Sequence, residues 1–274
     1  KKLANMAISS SSSPQVPLEG SPNRPIVWWA SIGAVFFALQ VYVMSAWLMS
    51  DLFTPTLVGD SPVPDFVFYW ARLWEAVAVI TGIGAIAFII KNYIKEARLS
   101  SLAVFIAAWG MTVWQDPFIN YLRPMFSYSS AFINYGSWAP FIPGWVSPNG
   151  SAMPEPLLML VGMYTVFCVA MCLAICWAMR KAKSLWPQIG TFQLIAVGLL
   201  AGVIFDLILE FFWLRMQLYS YLGVIRELSL FPNQIWQMPL YNHLIWGMLG
   251  LGVPAALYYF RDDKGHMIAE RGAE

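Results

Sequence analysis

The segment Leu194–Leu214, LIAVGLLAGVIFDLILEFFWL, limits the possible folds more than any other part of the chain. It is apolar and long enough to cross the hydrocarbon core of a bilayer, which takes about 20 helical residues. Yet it carries Asp206 and Glu210, spaced i and i+4, so both carboxyls fall on one face of a helix. A carboxylate facing lipid at the bilayer centre costs roughly 3 kcal/mol or more. That face is therefore expected to turn toward other protein or a wet cavity, and the pair marks a candidate site.

The remainder of the chain fits the same setting. With 59% hydrophobic and 11% charged residues, 14 Trp and 18 Phe, it has too little polar side chain to coat a soluble globule. The expected fold class is all-α, an integral membrane bundle with the lipid bilayer as its surroundings. A net charge of +1 without a basic stripe argues against a nucleic-acid partner. Cys168, Cys172 and Cys176 form a same-face stripe inside one apolar segment. They say nothing of redox compartment, and with only His243 and His266 in the chain they do not suggest a zinc or haem site.

Residues 1–25 are polar, with a serine run from Ser9 to Ser13, and are expected to be disordered. KKLAN before Met6 reads as a cloning remnant. Six membrane spans are expected within residues 26–260: Ile26–Ser50, Phe66–Ile90, Leu99–Gln115, Glu155–Met179, Ile189–Trp213 and Pro239–Phe260. The connections Lys91–Arg98 and Arg180–Lys183, and the tail 261–274, are basic-rich, whereas Asp51–Asp65 has no Lys or Arg and the two longer loops carry only Arg123, Arg215 and Arg226. The positive-inside rule then places both termini, including the tail, in the cytoplasm of a multi-pass cell-membrane protein, with the long aromatic-rich loops outside.

This topology sets the depth of the polar residues. Arg72 and Glu75 of the second span, Gln115 and Asp116 at the end of the third, Glu155 at the start of the fourth, Asp206 and Glu210 of the fifth, and Asn242 and His243 of the sixth all fall in the outer half. A shared, partly wet cavity accounts for that clustering. The loop Asp116–Pro154 is far too aromatic for a solvated connection and is expected to fold back as a lid, with Tyr121, Tyr128, Trp138 and Trp145 against an apolar ligand and Asn120 beside them. An interfacial belt of Trp and Tyr is the structural alternative.

Several runs carry a family resemblance: WQDPFINY (Trp114–Tyr121), YGSW (Tyr135–Trp138), PGW (Pro143–Trp145), EPLL (Glu155–Leu158), WAMRKAK (Trp177–Lys183), FDLILE (Phe205–Glu210), YFRDDKGH (Tyr259–His266) and AERG (Ala269–Gly272). From about Pro25 to Gly272 the chain resembles the AveC-type spirocyclases, actinobacterial membrane proteins of the avermectin and meilingmycin macrolide pathways. The resemblance implies stereocontrolled closure of a dihydroxyketone polyketide to a 6,6-spiroketal, followed in some members by dehydration.

That chemistry needs a proton donor to a hemiketal hydroxyl and a base for the second attacking hydroxyl. Asp206 and Glu210 supply one candidate catalytic pair, Asp116 and Glu155 a second. Arg72, Glu75, Gln115, Asn120, Tyr121, Tyr128, Trp138 and His243 are the candidate substrate-binding residues. No cofactor and no metal is required. Each group also has a structural alternative: Arg72 and Glu75 as partners that make the buried acids tolerable, Asp116 before Pro117 as a turn, His243 as a hydrogen-bonded interface residue. A transporter of an apolar small molecule and a non-catalytic scaffold of a biosynthetic complex are the competing function classes. Similarity between the first and last three spans would favour a transporter, and none is seen. Oligomeric state is left open by the sequence.

Overall fold

The computed structural model describes residues 24–59 and 62–272. The polar segment 1–23, with the expectations made for it, lies outside the described residues.

The fold is mostly helical. Helix α1 spans Pro25–Leu48, α2 Asp65–Glu96, α3 Ser101–Gly110, α4 Leu157–Leu185 and α5 Thr191–Arg215; a final helix, α6, covers residues 240–259. Four of these, α1, α2, α4 and α5, are long and apolar enough to cross a membrane. The expected third span is not one straight helix. α3 stops at Gly110 and continues as a 3-10 turn, Val113–Asn120, at an angle of 46°. Pro117 lies inside that turn, where its missing N–H cannot support an α-helical ladder. Gln40 of α1 repairs the break: its amide donates to the Gly110 carbonyl at 3.0 Å, and its side-chain oxygen accepts from the Trp114 N–H at 3.4 Å.

Two helices contain π-helical segments, Met163–Cys168 in α4 and Trp246–Gly252 in α6. Continuous hydrophobicity hides such insertions from a sequence pattern. The cysteine stripe meets α6 here, where the Cys172 and Cys176 thiols donate to the carbonyls of Leu251 and Ala255 at 3.5 and 3.3 Å.

Small residues set the closest helix approaches, because they let two backbones come near each other. On α2 the buried face is Val67, Ala71, Glu75, Ala78, Gly82 and Ala85, and α4 comes so near that a Cβ on Gly162 would stand 2.2 Å from the Ala78 carbonyl oxygen. α5 and α6 cross at Gly202 and Gly247, where a Cβ on Gly202 would stand 2.1 Å from the Gly247 carbonyl oxygen. By contrast, α1 buries only Val43 and Trp47.

The long connections are structured. All three meet at one end of the bundle: Thr56 N–H donates to the Asn134 carbonyl, Ser130 to the Val58 carbonyl, and Gly136 N–H to the Thr56 hydroxyl. The second and third connections each give one strand of an antiparallel ribbon, β1 (Phe126–Tyr128) against β2 (Tyr219–Tyr221), with Phe126 opposite Tyr221 and Tyr128 opposite Tyr219. Both strands read aromatic–Ser–aromatic, and strand alternation sends all four aromatic side chains to the buried face. A second small ribbon pairs β3 (Ser229–Leu230) with β4 (Met238–Pro239) just before α6. At the opposite end, residues 261–272 fold back. Arg261 stacks over the Tyr258 ring, Glu270 accepts from the Ser101 hydroxyl at 2.6 Å, and the Arg271 carbonyl accepts from the Ile26 N–H of α1 at 3.1 Å.

Candidate functional site

The Gly202–Gly247 crossing lies one turn from Asp206 on α5 and one turn from His243 on α6, and it brings those two side chains together. His243 Nδ1 is 2.9 Å from Asp206 Oδ2, and Nε2 is 3.4 Å from Glu210 Oε2. Only 2% of Asp206, 9% of Glu210 and 1% of His243 is exposed. An ionised Asp206 would accept from Nδ1–H and fix the imidazole in one tautomer; Nε2, without a hydrogen-bond partner among the described residues, then faces Glu210.

The ribbon completes the cluster from above. Tyr221 O–H donates to both oxygens of Glu210, at 2.9 and 2.8 Å, and accepts from the Asn242 amide at 2.7 Å. Tyr219 reaches the same carboxyl. Burial first and the adjacent Glu210 second push the phenols of Tyr219 and Tyr221 well above their ordinary range, so both act as neutral hydroxyls.

A second acidic cluster stands on the other strand. Asp116 accepts from the hydroxyls of Tyr128 at 3.0 Å and Tyr164 at 2.8 Å, and Glu155 stands beside it. Glu155 is 2% exposed and its Oε2 has no partner. The rings of Tyr128 and Tyr219 lie 6.2 Å apart across the ribbon. The polar partners of the four acids are thus tyrosines, one another and a single imidazole.

Other predicted site residues stand elsewhere. Arg72 and Glu75 do not pair with these acids. They form a 2.6 Å ion pair with each other, and together they grip the second connection, Arg72 through the Ala131 carbonyl and Glu75 through the Ile133 N–H. Asn120 caps the start of β1, accepting from the N–H groups of Met125 and Phe126. Tyr121 donates to the Gly144 carbonyl, and Trp138 is fully buried, its indole N–H on the Trp114 carbonyl and its ring edge-on to Trp47. Gln115 is half-buried beside Asp116. Sequence reasoning left Tyr164 out, and took Tyr219 and Tyr221 as aromatics of the second long loop without joining them to the acids; the repeated aromatic–Ser–aromatic triplet was the available signal for that pairing.

Asp206, Glu210 and His243 can offer ligand atoms to one ion within 4.8 Å of each other. The two carboxyls, however, face opposite nitrogens of the ring, and one ion can meet only one nitrogen. The arrangement suits proton transfer, with Asp206 orienting the imidazole and Glu210 at its working edge.

No curated protein and no solved structure matches the chain. A family model described as "Spirocyclase AveC-like" matches residues 96–274, from the end of α2 onward. Both acidic clusters, both strands of the ribbon and all of α3 to α6 lie inside the match, and its extent makes the chain a member of the AveC-like spirocyclase family.

Proposed function

We propose that the protein closes a dihydroxyketone polyketide to a 6,6-spiroketal by carboxyl and imidazole acid–base catalysis, with stereocontrol, in a six-span membrane bundle. The observation that carries this reading is the buried Asp206–His243–Glu210 array beneath Tyr221. One hydroxyl adds to the ketone to give a hemiketal, the hemiketal hydroxyl leaves as water, and the second hydroxyl captures the oxocarbenium ion and gives up its proton. Glu210 in its acid form donates to the leaving hydroxyl. The resulting carboxylate faces the cation, and His243 Nε2, held by Asp206, takes the proton of the second hydroxyl. Asp116 and Glu155 supply a second pair of acids beyond the ribbon. The same acid could serve a subsequent dehydration of the spiroketal.

Ketone spirocyclisation proceeds in weak acid unaided, so the contribution of a folded pocket is choice of isomer as much as rate. Purified protein is expected to shift the isomer ratio of the spiroketal, read by chiral chromatography with and without protein. Equal ratios would defeat this function, and substrate flux into vesicles without product would move it to transport.

The proposed membrane arrangement takes α1, α2, α4 and α5 with the bent α3 segment and α6 as six crossings, both termini cytoplasmic. The Lys- and Arg-rich stretches 91–98, 180–183 and 261–266 lie at the bundle end away from the ribbon, which supports it. Cysteines placed at Gly59 and Pro148 are expected to react with an impermeant thiol reagent from outside, and cysteines at Lys95 and Lys183 only after permeabilisation. The native cysteines are buried and add little background.

A further inference from the structure

Beside the ribbon, the chain after β2 and the turn that precedes β4 border an open surface groove of about 450 Å³. Its walls include Ser220, Tyr221, Arg226, Asn233, Gln234 and Gln237. That volume falls within the range of about 300–1,000 Å³ typical of small-molecule sites, and its walls are more polar than most. Gln237 braces it, donating to the Tyr221 carbonyl at 2.7 Å and accepting from the Asn233 N–H at 3.2 Å. Tyr221 belongs to both places: its backbone borders the groove, where its carbonyl takes the Gln237 bond, and its buried phenol closes onto Glu210.

The phenol hydroxyl has the hydrogen bonds an alcohol would make there. It gives its one proton to Glu210 and takes one from the Asn242 amide. We propose that this groove is the docking site for the hydroxylated chain of the substrate, and that Tyr221 is its gate, its hydroxyl holding the place that the attacking substrate hydroxyl takes when the ring swings aside. The inference rests on the spirocyclase reading and adds to it a binding site, a ligand chemistry and a gate. An uncharged chain carrying several hydroxyls fits walls that offer amide, hydroxyl and guanidinium donors. A bare lipid tail does not, because it would leave them unpaired.

Two variants test it with the full-length protein in detergent and a synthetic dihydroxyketone as probe. Gln234→Trp fills the groove from an exposed wall position. It is expected to raise KM about tenfold or more with kcat changed less than twofold. Tyr221→Phe removes the competing hydroxyl and is expected to lower KM severalfold. An unchanged KM in Gln234→Trp would overturn the docking site, and a fall in kcat at unchanged KM in Tyr221→Phe would overturn the gate. Titration calorimetry of the probe onto Asp206→Asn, with and without Gln234→Trp, reads binding apart from turnover: the expected outcome is binding to the single variant and none to the double variant. If wild-type protein makes no spiroketal, the functional reading fails by itself, whereas product formation with KM indifferent to Gln234→Trp removes the groove alone.

Discussion

Asp206→Asn is expected to fold as the wild type and to lose spiroketal-forming turnover on the order of 10²-fold or more, the usual span of a general acid–base contribution. The asparagine keeps the size of the side chain and a hydrogen bond to His243. Its amide, however, can present N–H to Nδ1, which would move the ring proton to Nε2 and take away the lone pair aimed at Glu210. Glu210→Gln is expected to match that loss by a different route, since an amide cannot protonate a leaving hydroxyl. Neither change strands an arginine, because Arg72 is satisfied by Glu75 and Ala131, so the melting temperature is expected to hold. Size-exclusion profile and thermal melt in detergent come first, then chiral product analysis. Well-folded variants with full rate and full selectivity would remove the pair from the mechanism and leave the Asp116–Glu155 pair as the acid.

Gly202→Leu and Gly247→Leu are expected to destabilise the fold by about 3 kcal/mol or more, the upper end of overpacking costs, because the new atoms meet backbone that cannot rotate away. A side chain at Gly247 would put its Cβ 2.6 Å from the Val203 Cα, so α5 and α6 must part. The same parting separates Asp206 from His243, and activity is expected to fall further than stability alone explains. Gly33 and Gly84 have open space where a Cβ would go, and alanine at either should leave the melting temperature equal or higher, since alanine favours helix over glycine by about 1 kcal/mol. Equal melting temperatures for Gly202→Leu and Gly33→Ala would show that the crossing is not what seats the two helices.

The helices were legible because a long apolar run has few alternatives to a helix, and Asp206 and Glu210 stood out because charge in such a run needs a partner. The partner itself was harder to name. His243 meets Asp206 through a glycine crossing between α5 and α6, and no local pattern tells which glycine contacts which. The bend at Gly110 was missed because the sequence stays largely apolar across it, as far as Trp114, and the π segments because an extra residue per turn leaves an unbroken apolar sequence unchanged. Arg72 was expected near the buried acids on depth alone; the same depth brings it to the second connection, whose Ala131 carbonyl and Ile133 N–H would otherwise lack partners. The contact of Tyr221 with Glu210 was not legible for a topological reason. Its strand pairs with residues of the preceding long connection, and pairing between two loops has no sequence period to announce it.

The return of residues 261–272 to the start of α1 bears on the order in which the molecule can be assembled. α1 leaves the ribosome first, yet two of its holds, Arg271 at its first turn and the buried Trp138 against Trp47 near its last, belong to residues made after it. Until those are made, α1 has only earlier holds, such as Phe53 edge-on to Trp47 and Gln40 on Gly110 and Trp114. During synthesis α1 therefore receives its last two holds late, one at each of its ends.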